Sequence, residues 1–297
     1  MNLSQYANAS VQDSQDEYVL GIRRVLKRYK LFFSKNGNRH NWDFTPTKVL
    51  DGIMREKISM HSSEPNICYT ECNQIYHDDI ESDIEALKHI YVFRINALLE
   101  TCISLINKKD YLSAAIIARS LLELAAVSLH HSYLIEANYK KFAAEMPDDA
   151  LKTGPSDLPF VREILERGIW GTRLPDLLEN NADGKQFNVI GILKKVADKE
   201  KTEYLQPLYD FLCEATHPNL MGNYQFIKTP KNTGFNERVH IVIDQPQTGD
   251  ATIALLERTL GAISWSALVA MQSYDHFQNA ISIKKSLFIK KNHLKKV

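Results

Sequence analysis

The chain has 297 residues, 44% of them hydrophobic and 24% charged, enough for one large domain or two ordinary ones around a sizeable core. Its formal net charge is zero, which excludes a protein that is polycationic throughout, and four cysteines in this length argue against a disulfide framework. The opening stretch has neither a basic n-region nor an apolar h-region, so no signal peptide is expected.

The first predicted element is a basic amphipathic helix over 17–35, with Leu20, Ile22, Val25, Leu26, Tyr29, Phe32 and Phe33 on its apolar side. "RHNWDFTPTK" interrupts the pattern, and a weaker helix follows over 49–60. Between Asn66 and Met146 there is neither proline nor glycine, so long uninterrupted helices are expected there. Ile84, Leu87, Tyr91, Ile95, Leu98, Cys102 and Leu105 step by three or four and predict a helix over 78–106. Asp78, Asp79 and Glu81 would sit in its first turn, where the helix dipole favours acids. "NKKD" (107–110) is a short polar turn, and the next helix, from about 110 to 135, becomes an antiparallel neighbour. Prolines cluster from Pro147 to Pro175, predicting an inserted arm with short helices near 157–167 and 175–180. Helices are expected over 187–199 and 203–216, then a β-hairpin carried by "NYQFIKT" and "RVHIVID", then a long helix from 250 into the 280s.

Charge is unevenly spread. Residues 22–42 hold seven Lys/Arg and residues 280–297 hold six Lys, with no acid in either stretch. Setting those 13 of the 36 basic residues aside leaves 23 against 36 acids, a balance of about −13. Arg23, Arg24, Lys27, Arg28, Lys290 and Lys291 are therefore candidate contacts for a nucleic acid, or for the acidic body of a partner or second copy. The alternative is a solvated basic face and a frayed terminus. The most apolar windows, "YLSAAIIARSLLELAAVSL" and "LGAISWSALVAMQSY", read as poor membrane spans, because the first carries Arg119 and Glu123 near its centre and the second is short. A cytoplasmic protein without membrane contact is the expectation.

Two clusters stand out as candidate chemistry. Asp210, Glu214 and His217 lie at i, i+4 and i+7 on one helix face, directly before Pro218. His217 can act as a general acid or base, or it can merely close the helix, complement its dipole and pair with Glu214. Arg119, Glu123 and His130 share a narrow sector of an otherwise apolar helix, either as its solvent stripe or as an inward polar cluster. His61, Cys68, Cys72 and His77 are acceptable zinc ligands by type, but their spacing matches no standard finger or knuckle. No metal and no cofactor are expected, and no glycine-rich phosphate loop, G-x-S-x-G or H-E-x-x-H motif is present.

"ARSLLELAAVSLHHSY" (118–133) followed by "LYDFLCEATHPN" (208–219) resembles a group of bacterial all-helical proteins related to the HEPN superfamily. In that group a helix bearing Arg-Ser-Leu-Leu-Glu packs beside one ending in a Glu-x-x-His-Pro-like motif. The resemblance rests on Arg119, Ser120, Glu123, Tyr209, Glu214, His217 and Pro218. It implies a dimeric component of a phage-defence or toxin-like system, and in many members a metal-independent ribonuclease. This chain departs from the ribonuclease pattern, because the positions that would hold an arginine before His217 are Asp210, Phe211 and Leu212. Arg55 and His61 match the spacing, but one such pair is expected by chance.

The sequence thus predicts a mainly α, HEPN-like bundle of long antiparallel helices with a small β-hairpin insertion. Its regions would be a basic helical segment (1–76), a long antiparallel helix pair (77–146), a Pro-rich arm (147–186), the rest of the bundle with the hairpin near 222–245 (187–290), and a basic tail (291–297). The first functional expectation is a helical binding and dimerisation protein in which Arg119, Glu123, Glu214 and His217 are structural or hold a ligand. The alternatives are a metal-independent endoribonuclease using His217 with Arg119, or a scaffold gripping an acidic partner through its basic ends. The partners implied are a second copy and an RNA or a protein.

Overall fold

The computed structural model describes residues 13–60, 65–145, 151, 156–171, 187–217, 223, 226–228, 242–243 and 250–293. It is mainly helical, as expected. The elements are α1 (Asp13–Asn36), α2 (Thr47–Met60), α3 (Pro65–Asn107), α4 (Tyr111–Glu145), α5 (Pro159–Trp170), α6 (Val189–Glu200), α7 (Leu205–Thr216), β1 (Ile227–Lys228), β2 (Val242–Ile243) and α8 (Asp250–His293). The two short strands pair antiparallel, Ile227 opposite Ile243 and Lys228 opposite Val242. The residues joining them, and the helix expected at 175–180, lie outside the described residues.

The first long helix begins 13 residues before its expected start at Asp78, since Pro65 occupies its first position. Proline is tolerated there because the first-turn N–H groups have no intrahelical acceptor anyway. Asp78, Asp79 and Glu81 therefore sit within the helix, where they meet cations rather than a dipole. The turn into α4 behaves as its sequence suggests. Lys109 adopts φ 63°, the N–H groups of Lys109 and Asp110 bond the carbonyls of Ile106 and Leu105 at 3.0 Å, and the helix closes. Asp110 then caps α4, its Oδ1 accepting the Ser113 N–H at 3.2 Å.

The chain divides into two compact units, and α3, α4 and α8 each contribute a segment to both. Unit 1 holds residues up to 36, 93–127 and 189–271. Its core includes Ile95, Leu99 and Ile106 of α3, Ala118, Leu121 and Leu122 of α4, Leu205 and Leu212 of α7, and Ile263 of α8, all essentially inaccessible. Unit 2 holds residues 37–92, 128–188 and 272–297. It buries Ile80, Ile84 and Leu87 of α3, Ile135 and Tyr139 of α4, Val161, Ile164 and Leu165 of α5, and Phe277 and Ile281 of α8.

The expected cytoplasmic placement and the exclusion of a membrane do not stand. By length and composition, three helical stretches are sufficient to cross a bilayer: Cys68–Asn107, Tyr111–Glu145 and Thr252–Phe288. Their best 18-residue windows reach mean hydropathies of 1.3, 1.7 and 1.3. Arg119 and Glu123 are the two charges near the centre of the second stretch. In the structure they form an i,i+4 ion pair at 3.2 Å, so they offset one another.

Candidate functional site

In unit 1, α4 and α7 bring Arg119 and Glu123 together with Tyr209 and Thr216. Arg119 donates from Nε to Glu123 Oε1 at 3.2 Å and from Nη1 to Thr216 Oγ1 at 2.9 Å. The Tyr209 hydroxyl donates to the same Glu123 oxygen at 3.0 Å, and the guanidinium lies 5.7 Å from the Tyr209 ring centre. Thr216 donates onward to the Cys213 carbonyl at 2.9 Å. Burial pushes the Tyr209 hydroxyl up to about 12, with Glu123 adding to it. For Arg119 burial works the other way, but the bond with Tyr209 and the charges of Cys213 and Glu123 outweigh it and hold the guanidinium above its ordinary value. The cluster is a closed acid–base pair whose carboxylate and guanidinium are each about one quarter exposed.

His217 is not part of it. Helix α7 ends at Thr216 and His217 is its cap, extended at φ −84° and ψ 158°, the conformation that a following proline imposes. Its backbone N–H bonds the Cys213 carbonyl at 3.0 Å, while its ring is exposed and hydrogen-bonds no described residue of the cluster. It closes the helix as expected, but the cluster is anchored by its neighbour Thr216 and by Tyr209. Glu214 is exposed on the same helix, and Asp210 accepts from Gln206 at 2.8 Å. His130 belongs to unit 2, its ring 6.3 Å from that of His131. Of the basic candidates on α1, Arg24, Lys27 and Arg28 are exposed, whereas Arg23 turns inward and buries Nη2 with no hydrogen-bond partner among the described residues. Lys290 and Lys291 fall in the last turns of α8, where only the backbone is described.

The zinc-ligand types on and before α3 are engaged separately. Cys68 and Cys72 are buried free thiols on α3, and Cys72 reaches the Met54 carbonyl at 3.8 Å. His77 donates from Nε2 to the Ser156 carbonyl at 3.0 Å. His61 lies outside the described residues.

Sequence reasoning missed the polar interior of unit 2. Lys284 of α8 is 5% exposed and donates to Asp78 and Glu81 of α3. Glu136 of α4, 3% exposed, accepts from His276, Asn279 and Lys140. Burial alone would raise its carboxyl, but Lys140 and His276 hold it below the ordinary value. Arg162 of α5 donates to Asp79 at 2.8 Å. The available signal was a set of charged residues inside long apolar periodicities, which cannot say what faces them.

Asp83 gives this interior a measurable pH dependence. It is 7% exposed, accepts from Trp42 Nε1 at 3.2 Å, and is pushed up to about 6, first by burial and then by the charge of Asp79. A carboxyl with a folded pKa above its unfolded value loses stability as pH rises through that window, here from about 4 to 6. Asp83→Asn keeps an acceptor for Trp42 and removes the charge. It is expected to stabilise the protein by on the order of 2 kcal/mol at pH 7.5 and by almost nothing at pH 3.5. Urea midpoints at the two pH values check this, and equal gains at both would refute the assignment.

Set against known protein families, curated proteins and solved structures, the chain matches none of them.

Proposed function

We propose that this chain is a HEPN-like helical binding protein serving a bacterial defence or toxin-like system, with a small hairpin inserted between α7 and α8. In this reading the Arg119 cluster is a rigid structural floor rather than a catalytic centre. One observation carries it. The Arg119 guanidinium is committed to Glu123 and Thr216, and its charge is offset by a carboxylate at 3.2 Å. An arginine that must meet charge developing on a phosphate would do so here with its own charge already offset by that carboxylate. The binding surface is the exposed basic face of α1, with Arg24, Lys27 and Arg28 one helical turn apart.

A second reading is favoured by a different observation. His217 is exposed and directly follows Thr216, the residue that holds Arg119 Nη1, as a solvent-reachable general base in a metal-independent ribonuclease would require. Labelled single-stranded RNA incubated in EDTA separates the two. We expect salt-sensitive binding without cleavage. Replacing Arg24, Lys27 and Arg28 with alanine should then flatten the salt dependence by about 2 in log–log slope, at roughly 0.7 per lost phosphate contact. Cleavage that disappears in a still-folded His217→Ala protein would replace the binding reading with the nuclease. Neither binding nor cleavage would remove nucleic acid from both.

A further inference from the structure

Within unit 1, residues of α1, α7 and α8 line a cavity of about 320 Å3, at the small end of the range for ligand pockets. Its inner side is formed by the buried Trp265 of α8 and Leu208 of α7. Its outer side carries two exposed rings, Tyr18 of α1 and Tyr204, the N-cap of α7. No ring contact joins these three aromatics to one another, so they border the space rather than stack across it. Tyr18 is held in place by its hydroxyl, which donates to the Glu257 carbonyl of α8 at 3.2 Å.

A glycine keeps the space open. Gly261 lines the cavity from well inside α8, where glycine is a poorer helix former than any residue except proline. Its φ is not positive, so no backbone requirement accounts for it. A methyl group on Gly261 would stand 3.1 Å from the Tyr18 hydroxyl, closer than ordinary van der Waals contact, and a longer side chain there would take up the cavity itself. The charge available to a ligand is positive. Arg258, also in the lining, lies 5.8 Å from the ring centre of Phe211, and among the described residues it donates no hydrogen bond and makes no ion pair. Its N–H donors are therefore open. Glu257, the acid beside it, is not free: its carbonyl takes the Tyr18 hydroxyl and it has a further partner.

We infer that this cavity binds a small aromatic acid, its flat one- or two-ring body against Tyr18, Tyr204 and Trp265 and its carboxylate turned to Arg258. Aromatic walls favour an aromatic guest, because offset and edge-to-face contacts add to the area buried. The forked guanidinium matches the two oxygens of a carboxylate. Every group involved acts from the place it occupies in the structure.

The experiment is a titration of the full-length protein with naphthoate, followed by ligand-observed NMR and calorimetry, with naphthylmethylammonium as the matched cation. Naphthoate is expected to bind at one site per chain, and more tightly than the ammonium. Arg258→Met keeps the apolar stem and removes the charge, so it should weaken naphthoate about fivefold without weakening the ammonium. Gly261→Leu should abolish binding of naphthoate by filling the cavity. Arg258 and Tyr204 are exposed, so Arg258→Met and Tyr204→Ala test the site even if Gly261→Leu folds poorly, and a thermal melt of each variant confirms folding. No binding of naphthoate, equal or tighter binding of the ammonium, or an affinity unchanged in a folded Gly261→Leu or Arg258→Met protein would overturn the inference. No nucleic acid enters the experiment, so its failure is separate from any failure of the RNA-binding reading.

Discussion

Between pH 6.5 and 4 the folded protein is expected to lose on the order of 5 kcal/mol of stability through His77 and His131 alone. Neither side chain is accessible to solvent. Burial, with a smaller contribution from Lys284, lowers His77 to about 4, against the opposing effect of its bond to Ser156. Burial, then the charges of His130 and Arg167, lower His131 to about 3. The geometry agrees with those directions. His77 Nε2 donates to the Ser156 carbonyl, so its Nδ1 is the unprotonated nitrogen, and that atom is buried with no hydrogen-bond partner among the described residues. Protonating it would create a buried N–H with nothing to accept it. His131 meets the Tyr91 hydroxyl through Nδ1 at 2.7 Å, and its Nε2 is likewise buried with no hydrogen-bond partner among the described residues.

The unfolded chain takes up protons at both histidines near pH 6.5, whereas the folded chain does so only near 4 and 3. The stabilisation is therefore complete above 6.5 and is lost as pH falls. Asp83 works in the opposite direction between 6 and 4, one proton against two, and softens the slope without reversing it. Urea unfolding at pH 7.5, 5.5 and 4.5 reads the effect directly. A His131→Gln variant, whose side chain has no charge to gain, should show a shallower decline. A wild-type midpoint that stays level from 7.5 to 4.5 would show that these imidazoles are not buried neutral.

The second large effect concerns Arg162 and Asp79. Their side chains are 14% and 7% exposed, joined at 2.8 Å, and the guanidinium lies 5.1 Å from the ring centre of Tyr76. Tyr76 in turn accepts the Leu158 N–H at 3.0 Å, at the entry to α5. Arg162→Ala should cost about 3–5 kcal/mol, because Asp79 is then buried without a cation and with Asp83 close enough to repel it. Replacing both partners together, Arg162→Met with Asp79→Leu, should cost far less than the sum of the two single changes. Equilibrium denaturation of the two single variants and the double variant checks this. A cost below about 1 kcal/mol for Arg162→Ala would mean that water reaches the pair and screens it.

The helices and the α3–α4 turn were legible because their causes are local. Three- and four-residue steps of apolar side chains mark a buried helix face wherever they occur, and Lys109 and Asp110 close one helix and cap the next within four residues of chain. His217 was legible as a helix terminus for the same reason, since the proline after it sets its backbone. The start of α3 lies earlier than its acids suggest, because acids near a helix beginning look the same whether they serve a dipole or a distant cation. Only packing shows that Asp78 and Glu81 hold Lys284, more than two hundred residues later.

The same limit applied to the sites. The sequence by itself determined which residue types lie on each helix, including the Arg119–Glu123 pair one turn apart. The tertiary structure alone decided that Tyr209 and Thr216 complete that pair, that His217 faces solvent, and that Tyr18 and Tyr204 line one cavity with Trp265. It also decided that two histidines and several charges end inside unit 2. Helix formation depends on neighbours a turn away, whereas burial and charge pairing depend on which distant segment arrives at the same place, and no spacing along the chain encodes that arrival.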